Sequence, residues 1–136
     1  MKKRVISLFV SMIMLFYCAL VTSATEYDIQ PRFTHIYSVS AGLTIDSSTG
    51  LATCEGFGSS KANDNTVSIT VQLQQYKNGV WTTLKSWSGS DTVSVSVTGL
   101  YYVYKGYKYR TNVAVIVYDA NGNYLESTIG TQEKTY

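Results

Sequence analysis

The run Gly106-Tyr107-Lys108-Tyr109-Arg110-Thr111-Asn112-Val113-Ala114-Val115-Ile116-Val117-Tyr118 constrains this chain more than any other stretch. It is rich in the β-branched and aromatic residues that suit a pleated, half-buried surface. Alternation puts Tyr109, Thr111, Val113, Val115 and Val117 on one face. Arg110, Asn112, Ala114, Ile116 and Tyr118 take the other, polar at first and apolar later. A strand that becomes apolar on both sides belongs at the centre of its sheet. The following Asp119-Ala120-Asn121-Gly122-Asn123 carries an Asn-Gly hairpin signal. Upstream, Leu100, a bend, Gly106 and a Tyr at the strand start reproduce the order of a tyrosine corner, in which a Tyr hydroxyl bonds upstream backbone in immunoglobulin-type sandwiches. Tyr109 is the expected corner residue and Tyr107 the alternative.

Other segments repeat the β pattern. Phe33, His35, Tyr37, Val39, Ala41, Leu43 and Ile45 share one parity, as one long strand or as two pieces broken near Ala41-Gly42. Asp46 to Gly50 reads as a turn, and Leu51 to Phe57 as a weaker strand with Ala52, Cys54 and Gly56 on one face. Gly58 to Asn65 reads as a polar loop. Val67, Ile69, Val71 and Leu73 alternate cleanly with Ser68, Thr70, Gln72 and Gln74. Lys77-Asn78-Gly79-Val80 then turns the chain into Trp81–Trp87, and Ser88-Gly89-Ser90-Asp91 reads as a further turn. Val93, Val95 and Val97 form the next strand, and Tyr124 to Thr131 closes the set. Seven or eight short strands at even spacing predict an all-β fold, an immunoglobulin-like antiparallel β-sandwich, over residues 33–136.

The N-terminus is of another kind. Met1-Lys2-Lys3-Arg4, an apolar run from Val5 to Val21 and the exit Thr22-Ser23-Ala24 have the three parts of a secretory signal peptide. Residues 1–24 are therefore expected to be removed and residues 25–32 to form a flexible lead, giving a secreted protein with no membrane span. Cleavage removes Lys2, Lys3 and Arg4 and leaves eight basic residues against nine acidic, a net of −1 in place of +2. The basic balance belongs to the export signal and gives no footprint for nucleic acid. Cys18 leaves too, so Cys54 stands alone and the fold must rest on packing without a disulfide.

Residues able to do chemistry are few. His35 is the sole histidine and lies in phase with an apolar face. Cys54 sits in a small-residue strand, where a buried, unreactive thiol is expected. Asp119, Asn121 and Asn123 alternate like the start of a calcium loop, but Gly122 falls between the would-be ligands and a hairpin turn accounts for all five residues. No metal, cofactor or catalytic residue is expected. Aromatics remain: Trp81 and Trp87 are six apart, and an unbroken strand would put both on one face. Trp81 is expected in the core and Trp87, between Ser86 and Ser88, nearer the surface. Tyr101, Tyr102, Tyr104 and Tyr107 gather at one end of the sandwich, offering apolar area with polar tips for a sugar face or a protein.

Several pieces together resemble a family of small secreted proteins of unknown function from Gram-positive, often gut-dwelling, bacteria. They are Ile29-Gln30-Pro31-Arg32, Ala41-Gly42-Leu43-Thr44-Ile45-Asp46, Gly50-Leu51-Ala52-Thr53-Cys54, Trp81-Thr82-Thr83-Leu84-Lys85-Ser86-Trp87 and Tyr118-Asp119-Ala120-Asn121-Gly122-Asn123. The resemblance implies secretion and an immunoglobulin- or fibronectin-like sandwich, and carries no activity and no site residues. The leading expectation is a non-catalytic binding module for a glycan or an extracellular protein, contacted by Tyr101, Tyr102, Tyr104, Tyr107 and Trp87. The alternative is a structural component of the envelope or matrix that self-associates through sheet edges.

Overall fold

The computed structural model describes residues 32–136. The signal peptide expected over 1–24, and the lead over 25–32 apart from Arg32, lie outside the described residues. Seven strands follow in order: β1 (Ile36–Ile45), β2 (Leu51–Ser60), β3 (Thr66–Lys77), β4 (Val80–Thr92), β5 (Ser94–Tyr102), β6 (Lys108–Tyr118) and β7 (Tyr124–Thr135). They form two antiparallel sheets, β1-β2-β5 and β4-β3-β6-β7. The chain changes sheet after β2, β4 and β5, which makes the immunoglobulin-like sandwich expected from the pattern. The long apolar run, β6, lies inside its sheet between β3 and β7.

The core is the sum of the alternations. Val67, Ile69, Val71 and Leu73 of β3 and Tyr109, Val113, Val115 and Val117 of β6 are buried against Leu43, Ile45, Ala52 and Cys54 of the facing sheet. Each such aliphatic side chain contributes about 1.5–3 kcal/mol by leaving water. The two sheets approach closely over β2 because small residues line it. A Cβ on Gly56 would lie 2.4 Å from Val71 Cγ2.

At the end of the sandwich where β6 begins, the Tyr109 hydroxyl closes the bend that precedes it. It donates to the Tyr104 carbonyl (2.8 Å) and accepts from the Tyr104 N–H (3.2 Å) and from Gln75 Nε2 (3.2 Å). This is a tyrosine corner built on Tyr109. Asn78 and Gly79 both hold positive φ (54° and 82°), the requirement of a two-residue type I′ hairpin between β3 and β4.

The departures from the sequence pattern have two physical sources. The first is the β-bulge, one extra residue that reverses the facing of everything beyond it. In β1, Ile36 pairs with Ser60 and Ser38 with Ser59, so Tyr37 is the extra residue. Ile36 is consequently buried and Tyr37 is 74% exposed, which breaks the parity expected from Phe33 to Ile45. In β4 and β7 the extra residues are Leu84 and Leu125, and both leucines pack onto the core.

The second source is serine and glycine that look like turns and are strand. Gly58–Ser60 belongs to β2 and not to a loop, and Ser88–Asp91 belongs to β4 and not to a turn. Glycine serves there because the facing side chains come close: a Cβ on Gly58 would meet Val115 Cγ1 at 2.8 Å, and one on Gly89 would meet Val97 Cγ2 at 2.8 Å. The reversal falls instead at Val93, held at a φ of 67°. That conformation costs a β-branched residue about 1–2 kcal/mol. Two backbone bonds hold it, Val93 N–H to the Asn65 carbonyl (2.9 Å) and Ser60 N–H to the Val93 carbonyl (2.7 Å). The last strand also runs to Thr135, past the expected end at Thr131.

Candidate ligand-binding face

The Leu84 bulge decides where the two tryptophans go. Trp87 pairs with Val71, a core residue, whereas Trp81 pairs with Tyr76 on the opposite face of β3. The expected assignment is therefore reversed. Trp87 packs on the core, its ring over Gly99, where a Cβ would come within 2.1 Å of Trp87 Cδ2. Trp81 lies on the outer face of the four-stranded sheet. The six-residue spacing would have put both rings on one side; Leu84 is the residue that undoes it.

On that outer face β3 presents Gln72, Gln74 and Tyr76, and β6 presents Lys108, Arg110 and Asn112, the parity opposite to the core. The Trp81 and Tyr76 rings pack tilted, with centroids 5.1 Å apart. The Arg110 guanidinium lies over Trp81, its Cζ 4.3 Å from the ring centroid. Arg110 Nε donates to Gln74 Oε1 (2.7 Å). Gln74 Nε2 in turn donates to Thr83 Oγ1 (3.1 Å) and Gln72 Oε1 (3.3 Å), and Asn112 Nδ2 reaches the same Gln72 oxygen at 3.5 Å. Lys108 pairs with Glu133 at 2.5 Å and stands 5.9 Å above the Trp81 ring. Three strands thus hold two aromatic rings, three amides and a guanidinium in one connected array on a solvent-facing sheet.

The tyrosines picked from sequence do not assemble in the same way. Tyr101 and Tyr102 are adjacent on β5 and so point to opposite sides. Tyr102 is 67% exposed and Tyr104 82%. Tyr107 packs onto the core, edge-on to Tyr109 at 6.4 Å, with Lys77 Nζ 5.9 Å from its ring. The ring pairs among the described residues are Tyr76–Trp81 and Tyr107–Tyr109, so Tyr101, Tyr102 and Tyr104 form no stacked platform. The amide array was open to a reading of the polar parity of β3 and β6, where long amides and Arg110 alternate. Trp81 was not, because nothing in its neighbours marks the bulge.

Elsewhere the reactive groups serve the fold. Cys54 is fully buried, and burial pushes its thiol up. Ser60 bonds the His35 carbonyl, and Cys54 lies six residues further back along β2, so at about 3.3 Å per residue the two are roughly 20 Å apart. The Glu126 carboxylate accepts the N–H groups of Thr34 (3.1 Å), His35 (2.7 Å) and Ile36 (2.8 Å). Desolvation works against its charge, but these three bonds prevail and hold the carboxyl below its usual range. Asp119 spends its oxygens on Asn123 and on the N–H of Asn121, inside its own turn. Asp46 does the same with Ser48 and Thr49, which lowers its pKa to about 2. A group of three residues fit to hold a metal ion is absent among the described residues.

No protein-family model matches the chain, and neither does any curated protein.

Proposed function

We propose that the chain is a secreted, non-catalytic binding module that takes a glycan on the outer face of β4, β3 and β6. The export reading rests on the Lys2-Lys3-Arg4 head, the apolar run and Ala24. The glycan reading rests on one observation, the hydrogen-bonded array of Gln72, Gln74, Thr83, Arg110 and Asn112 beside the Trp81–Tyr76 pair. Fixing a long polar side chain costs up to about 2 kcal/mol of rotamer entropy. Hydrogen bonds on a water-facing surface return little of that, since water offers the same partners. As a stabilising device the array is poor. As a receptor it is apt, because ordering settled before binding does not weaken binding. The Tyr76 ring, 42% exposed and backed by Trp81, supplies apolar area for the C–H face of a sugar, and the amides supply paired donors and acceptors for its hydroxyls.

The test is a glycan-array screen of the purified chain beside Trp81→Ala and a Tyr102→Ser/Tyr104→Ser pair. Trp81 lies outside the core, so its loss leaves the fold standing. Binding by the native chain, lost in Trp81→Ala and kept in the tyrosine pair, is the expected pattern. Loss in the tyrosine pair alone would move the site to the bend. Silence on every glycan would remove the reading.

A further inference from the structure

We infer that the ligand of this face is an acidic polysaccharide, one with a carboxylate on its repeating sugars. The inference rests on the glycan reading and narrows it. Its basis is the uneven distribution of charge between the two ends of the sandwich. At the end bearing the β3–β4 hairpin, the bend and the start of β6, the cations Lys77, Lys105, Lys108, Arg110 and Lys134 are answered only by Glu133 and Asp46. At the far end Asp64, Asp91, Asp119 and Glu126 outnumber Arg32 and Lys61. A chain close to neutral overall is therefore polarised along its strands, with the Trp81 array at the positive end.

Local contacts sharpen this. Lys108–Glu133 is the one ion pair among the described residues, so Arg110, Lys77 and Lys105 meet no carboxylate there. All three stand instead beside aromatic rings, Arg110 over Trp81, Lys77 near Tyr107 and Lys105 over Tyr136. Arg110 spends Nε on Gln74, which leaves both Nη groups as a fork of donors with no protein partner among the described residues. A planar fork of that kind matches a carboxylate with two parallel bonds. Asp46, the second acid of this end, is occupied within its own turn.

The remaining requirement is length. Successive rows of the array, Trp81 with Tyr76, then Thr83 with Gln74 and Arg110, then Ser86 with Gln72 and Asn112, lie two residues apart along β3 and β6. At about 3.4 Å per residue they extend roughly 14 Å, enough for a short oligosaccharide. The guanidinium, rooted in the middle row and lying over Trp81, stands between the exposed Tyr76 ring and the amides that read hydroxyls. A uronate polymer fits that order: ring face, carboxylate, hydroxyls.

Affinity electrophoresis of the full chain tests this, in native gels cast with polygalacturonate, with its fully methyl-esterified form, with a neutral glucan, or with single-stranded DNA. Polygalacturonate should retard the chain, with retardation falling as salt is raised, and esterification should weaken it about tenfold or more, the size expected when a charge-assisted bidentate pair is lost. Arg110→Gln should lose the same factor with an unchanged melting curve. Arg110→Lys should recover only part, since it returns charge without the fork. Equal retardation by free-acid and esterified polymer would overturn the inference and leave the glycan reading intact. Equal retardation by DNA and polygalacturonate would overturn it in favour of unselective charge attraction. No retardation by any glycan would remove both.

Discussion

Replacing Tyr109 by Phe removes one hydroxyl and keeps the ring. The ring is fully buried against the core, so its packing survives the change and the loss is confined to hydrogen bonds. The hydroxyl uses all its capacity, one donated bond to the Tyr104 carbonyl at 2.8 Å and two accepted, from the Tyr104 N–H and Gln75 Nε2, both at 3.2 Å. Each bond is worth about 1 kcal/mol net. The Gln75 amide can turn to water, whereas the two Tyr104 backbone groups are tied into the bend and recover only part of their hydration. The expected cost is about 2 kcal/mol, within 1–3. For a domain of roughly this size the unfolding entropy is about 0.2 kcal/mol/K, so Tm should fall by about 10 °C. Urea and thermal melts of both proteins measure it. Tyr107→Phe is the control: its hydroxyl has no hydrogen-bond partner among the described residues, and its cost should stay within about 0.5 kcal/mol. A Tm shift under about 2 °C for Tyr109→Phe, or an equal shift for Tyr107→Phe, would refute the account of the corner.

Two further substitutions probe the packing and the sheet-to-sheet latch. Gly99→Ala should cost about 1–3 kcal/mol by forcing Trp87 off its seat. Tryptophan emission should shift to the red, and an unshifted spectrum with full stability would mean the ring has room. Glu126 carries the pH dependence. Its carboxyl is held below the ordinary value of 4.5, so its contribution is present above that pH and is lost as pH falls through the folded value. Glu126→Gln should be less stable at neutral pH and should show a shallower loss on acidification than the native chain. Identical acid profiles for the two would show that the three amide bonds to Thr34, His35 and Ile36 add nothing.

What could be read from the residues, and what could not, divides along a physical line. The alternation of Val67 to Leu73, the run ending at Tyr118, the Asn78-Gly79 reversal and the Tyr109 corner all follow from short-range rules, and the structure contains each of them. The ends of β2 and β4 do not. Gly58-Ser59-Ser60 and Ser88-Gly89-Ser90 have the composition of turns, and only the facing Val115 and Val97 explain why small residues stand in a strand there. The bulges are equally silent, because Tyr37, Leu84 and Leu125 are ordinary strand residues and become extra only when two strands settle their register. The candidate face inherited that blindness. The alternation shows Gln72, Gln74, Arg110 and Asn112 as a polar side, but it places their aromatic neighbour Trp81 on the core side, because the extra residue at Leu84 is invisible in it.

The bulges at Leu84 and Leu125 bear on company as well as on aim. β4 and β7 are the two margins of the larger sheet, 13 and 12 residues long, and margins of that length are templates on which another copy could add a strand. A bulge interrupts the regular spacing of free amides and carbonyls and twists the strand locally; Leu84 divides β4 in this way, whereas Leu125 sits at the start of β7 and leaves Glu126–Thr135 in regular register. For a β-rich chain of low charge the break in β4 is protection against edge pairing. The same single-residue insertion at Leu84 that turns Trp81 outward also shortens the template that β4 offers to a second copy.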